Sequence, residues 1–348
     1  MSHEFSSGVS TNNEAFWHGL GTVVPGNLSA REGFKLAQAD WKVISSPAWQ
    51  GIPSLGGGSD PQAWRQIPGY QHLTRSDNGA SLAVHSETYR IIQNEELIRV
   101  AEAFEAYGRL SAVCVLRDGA RVTFCSEITD ATAEVLPGDA VRCYLVGITS
   151  HDGKVAFQVL FSPVRVVCNN TMSQAIGIAD NGAASHRIKI RHTLNSESLI
   201  RQIPQLIDIQ TRQFKGGVDE LRAMAAKPCA MTEFRDYVSA VFADQLKGKI
   251  NDKRGDDSTS RDKKLEDLPL WEMVSRKFEG AAIGSSIPGV EGTVWQAYNS
   301  ITEFLSHDVG KARDKMKAAA DRMESLYWGR SADLLTNAHN LALAATRS

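Results

Sequence analysis

No two cysteines in this chain lie close enough to form a CxxC pair. Its five, Cys114, Cys125, Cys143, Cys168 and Cys229, are odd in number and scattered, which argues against a zinc ribbon or a redox pair and fits a reducing compartment. No apolar run approaches the roughly 20 residues needed to span a bilayer. Met1–Asn13 is polar and lacks the apolar stretch of a secretory signal. The expectation is therefore a cytoplasmic protein with no membrane partner. Neither sign of charge dominates: 38 Lys and Arg stand against 40 Asp and Glu, so any surface that attracts a polyanion is local. There is no Walker loop, no GxSxG elbow, no paired metal carboxylates and no internal repeat, which counts against the commoner enzymes and predicts no metal and no cofactor.

What is present is ordinary globular composition, with 42% hydrophobic residues over 348 positions, enough to bury a core without a disulfide or a metal. The pattern predicts an α+β fold: an antiparallel β-meander core, flanking helices and a helical C-terminal third. Residues 1–68 read as an N-terminal arm with a short helix, capped by Ser29. Residues 69–230 read as a β-rich core domain. Three hairpins turn there at Asp77-Asn78-Gly79, Asp118-Gly119 and Asp152-Gly153. Asn94 is expected to cap a helix over Leu97–Phe104, Asn169 to cap a short one through Ile176, and Pro204 to bend or restart a third. Residues 231–348 read as helical, from a Thr232 cap through stripes such as Val294, Ala297, Ile301, Phe304 and Leu305. The charge-dense stretch 247–267 interrupts them and reads as a mobile loop.

Arg187, Lys189 and Arg191 alternate with Ile188 and Ile190. On a strand this lines three cations on one face and sends the isoleucines to the core. Arg165 and His192 lie nearby in sequence. Between Phe161 and Lys215 there are seven Lys and Arg against three acids, a local excess suited to a phosphate backbone. Trp17, within the Phe16–Gly21 stretch, offers a ring on which a base can stack. Asn169 and Asn170 sit where a helix N-terminus can hold a phosphate. Asn299, Glu303 and His307, at i, i+4 and i+8, form one polar helical stripe that could exchange protons or share a metal with His18 or Cys168. A single Glu-x-x-x-His pair is short of the four ligands of a structural zinc site, so a hydrogen-bonded stripe at an internal contact is the plainer reading.

Four stretches together resemble a family of phage- and plasmid-like proteins classed as a domain of unknown function: Trp17–Gly21, Pro163–Thr171, Arg187–Thr193 and Thr293–His307. The resemblance implies a bacterial host cell. The order of three antiparallel strands followed by a helix is similar to the core of the single-strand annealing superfamily that includes Red-beta, RecT and Erf. That likeness implies single-stranded DNA as partner, annealing in recombination as function, and a homo-oligomer, such as a ring. The bound phosphates would fall to Arg165, Arg187, Lys189 and Arg191. A metal-assisted hydrolase using Glu303 and His307, and a host-interaction or anti-defence protein, are the other two readings.

Overall fold

Short-range turns join the central antiparallel strands. In the computed structural model, residues 5–11, 21–52, 64–167, 170–171, 187–190, 196–247, 264–309 and 315–347 are described. The strands are β1 (Phe5–Thr11), β2 (Thr22–Val24), β3 (Val43–Gly51), β4 (Trp64–Arg75), β5 (Ser81–Ser86), β6 (Gly108–Leu116), β7 (Arg121–Leu136), β8 (Asp139–Ser150), β9 (Phe157–Arg165), β10 (Asn170–Thr171) and β11 (Arg187–Ile190). The helices are α1 (Ala30–Leu36), α2 (Asn94–Phe104), α3 (Ser196–Ala226), α4 (Met231–Val241), α5 (Ala243–Leu246), α6 (Pro269–Arg276), α7 (Val294–Glu303), α8 (Lys315–Trp328) and α9 (Arg330–Arg347). All three expected hairpins are present. At the tightest, Asp118 and Gly119 take φ of 55° and 100°, a left-handed backbone that Asp tolerates and Gly adopts freely.

The meander β6–β7–β8–β9 is the middle of an eight-stranded sheet, in the order β10-β9-β8-β7-β6-β1-β2, with β11 also paired to β9. All its pairs are antiparallel except β1 with β2. A separate three-stranded antiparallel sheet has the order β3-β4-β5. The large sheet is covered on both faces. On one, Val113, Phe124, Leu145 and Phe157 join a core that extends from Val9 to Leu343. On the other, Cys114, Cys125, Val146 and Leu160 pack with Met323 and Tyr327 of α8. All nine residues of β9 are buried as a result. The protein is thus α+β, with helices gathered in its C-terminal part.

Several local expectations are corrected. The residue before α2 is Gln93, with no side-chain cap bond; Asn94 is buried instead, its Nδ2 donating to Trp41 O at 3.2 Å and its Oδ1 lying 2.9 Å from His151 Nε2. Helix α4 begins one residue before Thr232, and Glu233 closes its first turn by accepting from Ala230 N at 2.7 Å. Pro204 neither ends nor restarts α3, which continues through it for 31 residues; packing against β7, α2, α7 and α9 outweighs the roughly 3 kcal/mol that an interior proline costs. Asn170 and Thr171 pair with Arg165 and Val164 as a strand, and the rest of the short helix expected from Asn169 through Ile176 lies outside the described residues. The Ser29 cap holds as expected, its Oγ accepting from Glu32 N at 3.3 Å while Glu32 accepts from Ser29 N at 3.1 Å. The boundary expected at residue 68 falls inside β4, and most of the stretch 247–267 lies outside the described residues.

Candidate functional site

The outer edge of β9 is shared by two short strands. At one end β11 pairs Arg187 with Leu160, Ile188 with Val159, Lys189 with Gln158 and Ile190 with Phe157. Positions 188 and 190 thereby stand on the face of Val159 and Phe157, both in the main core. Positions 187 and 189 stand on the opposite face, that of Leu160 and Gln158, near the second core. Arg191, His192, Asn169, Trp17, His18 and Cys168 lie outside the described residues.

At the other end of β9 sits Arg165, and here the expectation of a phosphate-binding cation is overturned. The residue is 1% exposed. Its register opposite Val141 turns it into the main core, where Nε and Nη2 donate to the two carboxylate oxygens of Asp139 at 2.6 and 2.7 Å. Asp139 Oδ2 also accepts from Trp295 Nε1 at 2.8 Å, and the guanidinium lies 5.4 Å from the Trp295 ring centroid. A buried guanidinium is tolerable only with such a bidentate partner. Gly284 completes the seat. At φ of 80° its absent side chain leaves room for Val167 and Arg165, whose atoms would meet a Cβ at 2.8 and 3.1 Å.

Helix α7 carries this seat into the polar stripe seen in the sequence. Asn299 Nδ2 donates to Trp295 O at 2.8 Å, while its buried Oδ1 accepts from none of the described residues. Glu303 is buried and both its oxygens are engaged: Oε1 accepts from Lys277 Nζ at 2.7 Å and Oε2 from Ile283 N at 3.0 Å. Lys277 Nζ also lies 3.0 Å from Asp308 Oδ2. Burial works against the Lys277 charge, but its hydrogen bonds to Glu303 and Asp308 outweigh that and hold its pKa above the ordinary value. Past Glu303 the helix widens into a π-turn over Phe304–Asp308, a geometry frequent at functional sites. The carbonyls of His307 and Val309 accept from Arg322 Nη1 at 2.8 and 3.4 Å. Strand β10 packs against both α7 and this turn, so the sequence-distant stretches around 165–171 and 295–307 meet.

The arrangement makes Glu303 a pinned anion rather than a base with a free oxygen. Among the described residues no three His, Cys, Asp or Glu side chains gather where they could hold a metal ion. Sequence reasoning missed Asp139, Lys277 and Arg322, since charged residues in polar stretches look like surface; only the isolation of Arg165 among Pro163, Val164, Val166 and Val167 hinted that it turns inward. Among the described residues no helix is long and apolar enough to cross a membrane. No curated protein and no solved structure matches the chain. One family does: the Domain of unknown function (DUF932) matches residues 81–327. That span holds the meander, the Asp139–Arg165–Trp295 seat and the α7 stripe, and the chain belongs to this family.

Proposed function

We propose that the protein binds single-stranded DNA and anneals complementary strands, without a nucleotide cofactor, in phage or plasmid recombination. The observation that carries this reading is β11, a strand at the margin of the large sheet whose register brings the cationic positions 187 and 189 onto one face and positions 188 and 190 onto the other. Annealing needs the phosphate backbone held and the base edges left free, so a basic margin suffices and no reacting group is required. The likeness to the annealing superfamily rests on the order of β7, β8 and β9 followed by a helix expected over 169–176, of which residues 172–176 lie outside the described residues. In the same reading the protein is a homo-oligomer, such as a ring. The aromatic stretch Phe16–Leu20 lies in sequence between β1 and the edge strand β2, where a neighbouring copy would add to the sheet.

The reading in which Glu303 and His307 perform hydrolysis has less support, because the Glu303 carboxylate is consumed by Lys277 and Ile283 N. Fluorescence anisotropy with a labelled single-stranded oligonucleotide at increasing salt tests the proposal. Affinity should fall steeply with salt, and Arg187→Ala and Lys189→Ala should each shallow the log–log slope by about 0.7. Absence of binding at low salt overturns it. Light scattering that finds only monomer, with and without DNA, overturns the oligomer.

A further inference from the structure

The loop that leads into α7 lies across the polar stripe of that helix. One loop residue, Ile283, is gripped from two sides: its N donates to Glu303 Oε2 at 3.0 Å and its O accepts from Arg165 Nη1 at 3.4 Å. Gly284 O accepts from Arg165 Nη2, also at 3.4 Å. Arg165 is fixed in turn through Asp139 to Trp295. Trp295, Asn299 and Glu303 follow one another at i, i+4 and i+8, so Asn299 lies on the stripe between the two points that hold the loop. It is 1% exposed. Its Nδ2 is used by Trp295 O, and its Oδ1 accepts from none of the described residues. A buried acceptor without a donor is costly, and it marks a place where a donor is missing.

The loop is lightly held. Ile283 is 52% exposed, and both bonds from Arg165 are long. Gly280 and Gly289 flank the segment at φ of 106° and 88°. Nothing lies within 4 Å of a Cβ on Gly280, and only Leu136 meets one on Gly289, at 3.6 Å, so both glycines are free to turn. Within the segment Ser285 N donates to Ala282 O at 3.1 Å and Ile287 N to Gly284 O at 3.3 Å, so it can swing as one piece. With it displaced, the stripe offers one donor, the Arg165 guanidinium, and two acceptors, Glu303 Oε2 and Asn299 Oδ1. The loop now supplies one carbonyl and one N–H to this set and leaves the second acceptor empty. A planar ligand with a carbonyl beside two N–H donors completes it. Guanine has that edge, with O6 as acceptor and N1–H and the N2 amino group as donors. Adenine has no carbonyl, and thymine has a single N–H. Arg165 and Glu303 converge on the N and O of one residue, a span that the edge of one base also covers.

We infer that the α7 stripe is a closed site for a guanine base, with the segment 281–288 as its lid. The Ile283 backbone stands in for the base: O6 and N1–H take the places of Ile283 O and N, and the N2 amino group donates to Asn299 Oδ1. The site is separate from β11, so its test needs no strand binding. Equilibrium dialysis of the full chain against guanosine, inosine and adenosine measures it. Guanosine should bind. Inosine, which lacks the N2 amino group, should bind at least about tenfold more weakly, and adenosine should not bind. Asn299→Ala should bring guanosine down to the level of inosine, whereas a merely structural role would weaken both alike. Hydrogen exchange gives a second readout on the wild type: guanosine should speed exchange of the Ile283 amide as the lid lifts, and adenosine should leave it unchanged. If no nucleoside binds, if guanosine and inosine bind alike, or if guanosine binds without changing exchange over 281–288, the inference is overturned. An oligothymidylate carrying one guanine identifies the source of the base. Competition with guanosine means that the base is taken from a strand, and no competition means that it arrives as a free nucleoside or nucleotide. Failure of plain oligothymidylate to bind would count against β11 alone.

Discussion

The two sheets of this protein use the same backbone pattern to opposite ends. In the large sheet β9 is buried from Phe157 to Arg165, with apolar residues on both faces, and even its arginine is sealed in. In the small sheet burial alternates, with Leu73 inside and Tyr70 and Val84 outside, and Trp49 is exposed. Burial on two faces converts strand residues into stability, at about 25 cal/mol per Å² of apolar surface. Burial on one face leaves the other for recognition. The seam between the sheets is polar: Trp41, just before β3, accepts from Asn94, which meets His151 at the end of β8, and the His151 ring packs 5.4 Å from that of Trp41.

The contrast is broken hardest at Arg165. Replacing either Arg165 or Asp139 by alanine strands a buried charge and should cost about 3–5 kcal/mol, read from urea denaturation. The double replacement should cost less than the sum of the two. Strict additivity would mean the pair is not coupled. Next comes Ile190→Ala on β11, expected to cost roughly 2–5 kcal/mol for a core-facing isoleucine, while Lys189→Ala changes stability by about 0.5 kcal/mol or less. Equal effects of the two would show that the register does not separate the face of Phe157 from that of Gln158.

The seam gives a pH test of similar size. Burial pushes the His151 imidazole down to about 4, only partly opposed by the nearby Asp152 carboxylate. The unfolded chain, with an ordinary histidine pKa of about 6.5, therefore binds a proton that the native state refuses. Stability is intact above pH 6.5 and is lost as pH falls toward 4, by roughly 3 kcal/mol. His151→Gln, which can still donate to Asn94, should flatten that part of the profile; an unchanged slope would assign it to other groups. The smallest effects belong to the open face. Ile44→Ser and Val84→Thr should each shift stability by no more than about 0.5 kcal/mol, and a loss near 2 kcal/mol would mean that this face is covered.

Much of the architecture was legible residue by residue because it depends on neighbours in sequence. The turns at Gly79, Gly119 and Gly153, each with positive φ, follow from the chemistry of Asp-Gly and Asn-Gly steps. The Ser29–Glu32 cap closes within four residues, and the stripe of α7 repeats at helical period. The same local reasoning failed at Asn94, which looks like a cap, and at Pro204 as far as a restart was expected there, because partners far away in sequence outbid the local preference. It also passed over β3, whose exposed residues show no clean alternation.

Arg165 and Lys189 show where sequence stops. Both are cations on strands, and only the company they keep in sequence, apolar around Arg165 and cationic around Lys189, hints at a difference. The difference lies in what the other strands and helices bring. Asp139 and Trp295, 26 and 130 positions from Arg165, converge on it with two charge-assisted hydrogen bonds and an aromatic face. Lys189 stands on β11, which among the described strands pairs with β9 alone. The sequence by itself determined the alternation of side chains along each strand, a property of the extended backbone. Only the tertiary structure decided which faces would be covered, because the free energy of burying a charge depends on whether its counter-charge arrives with it.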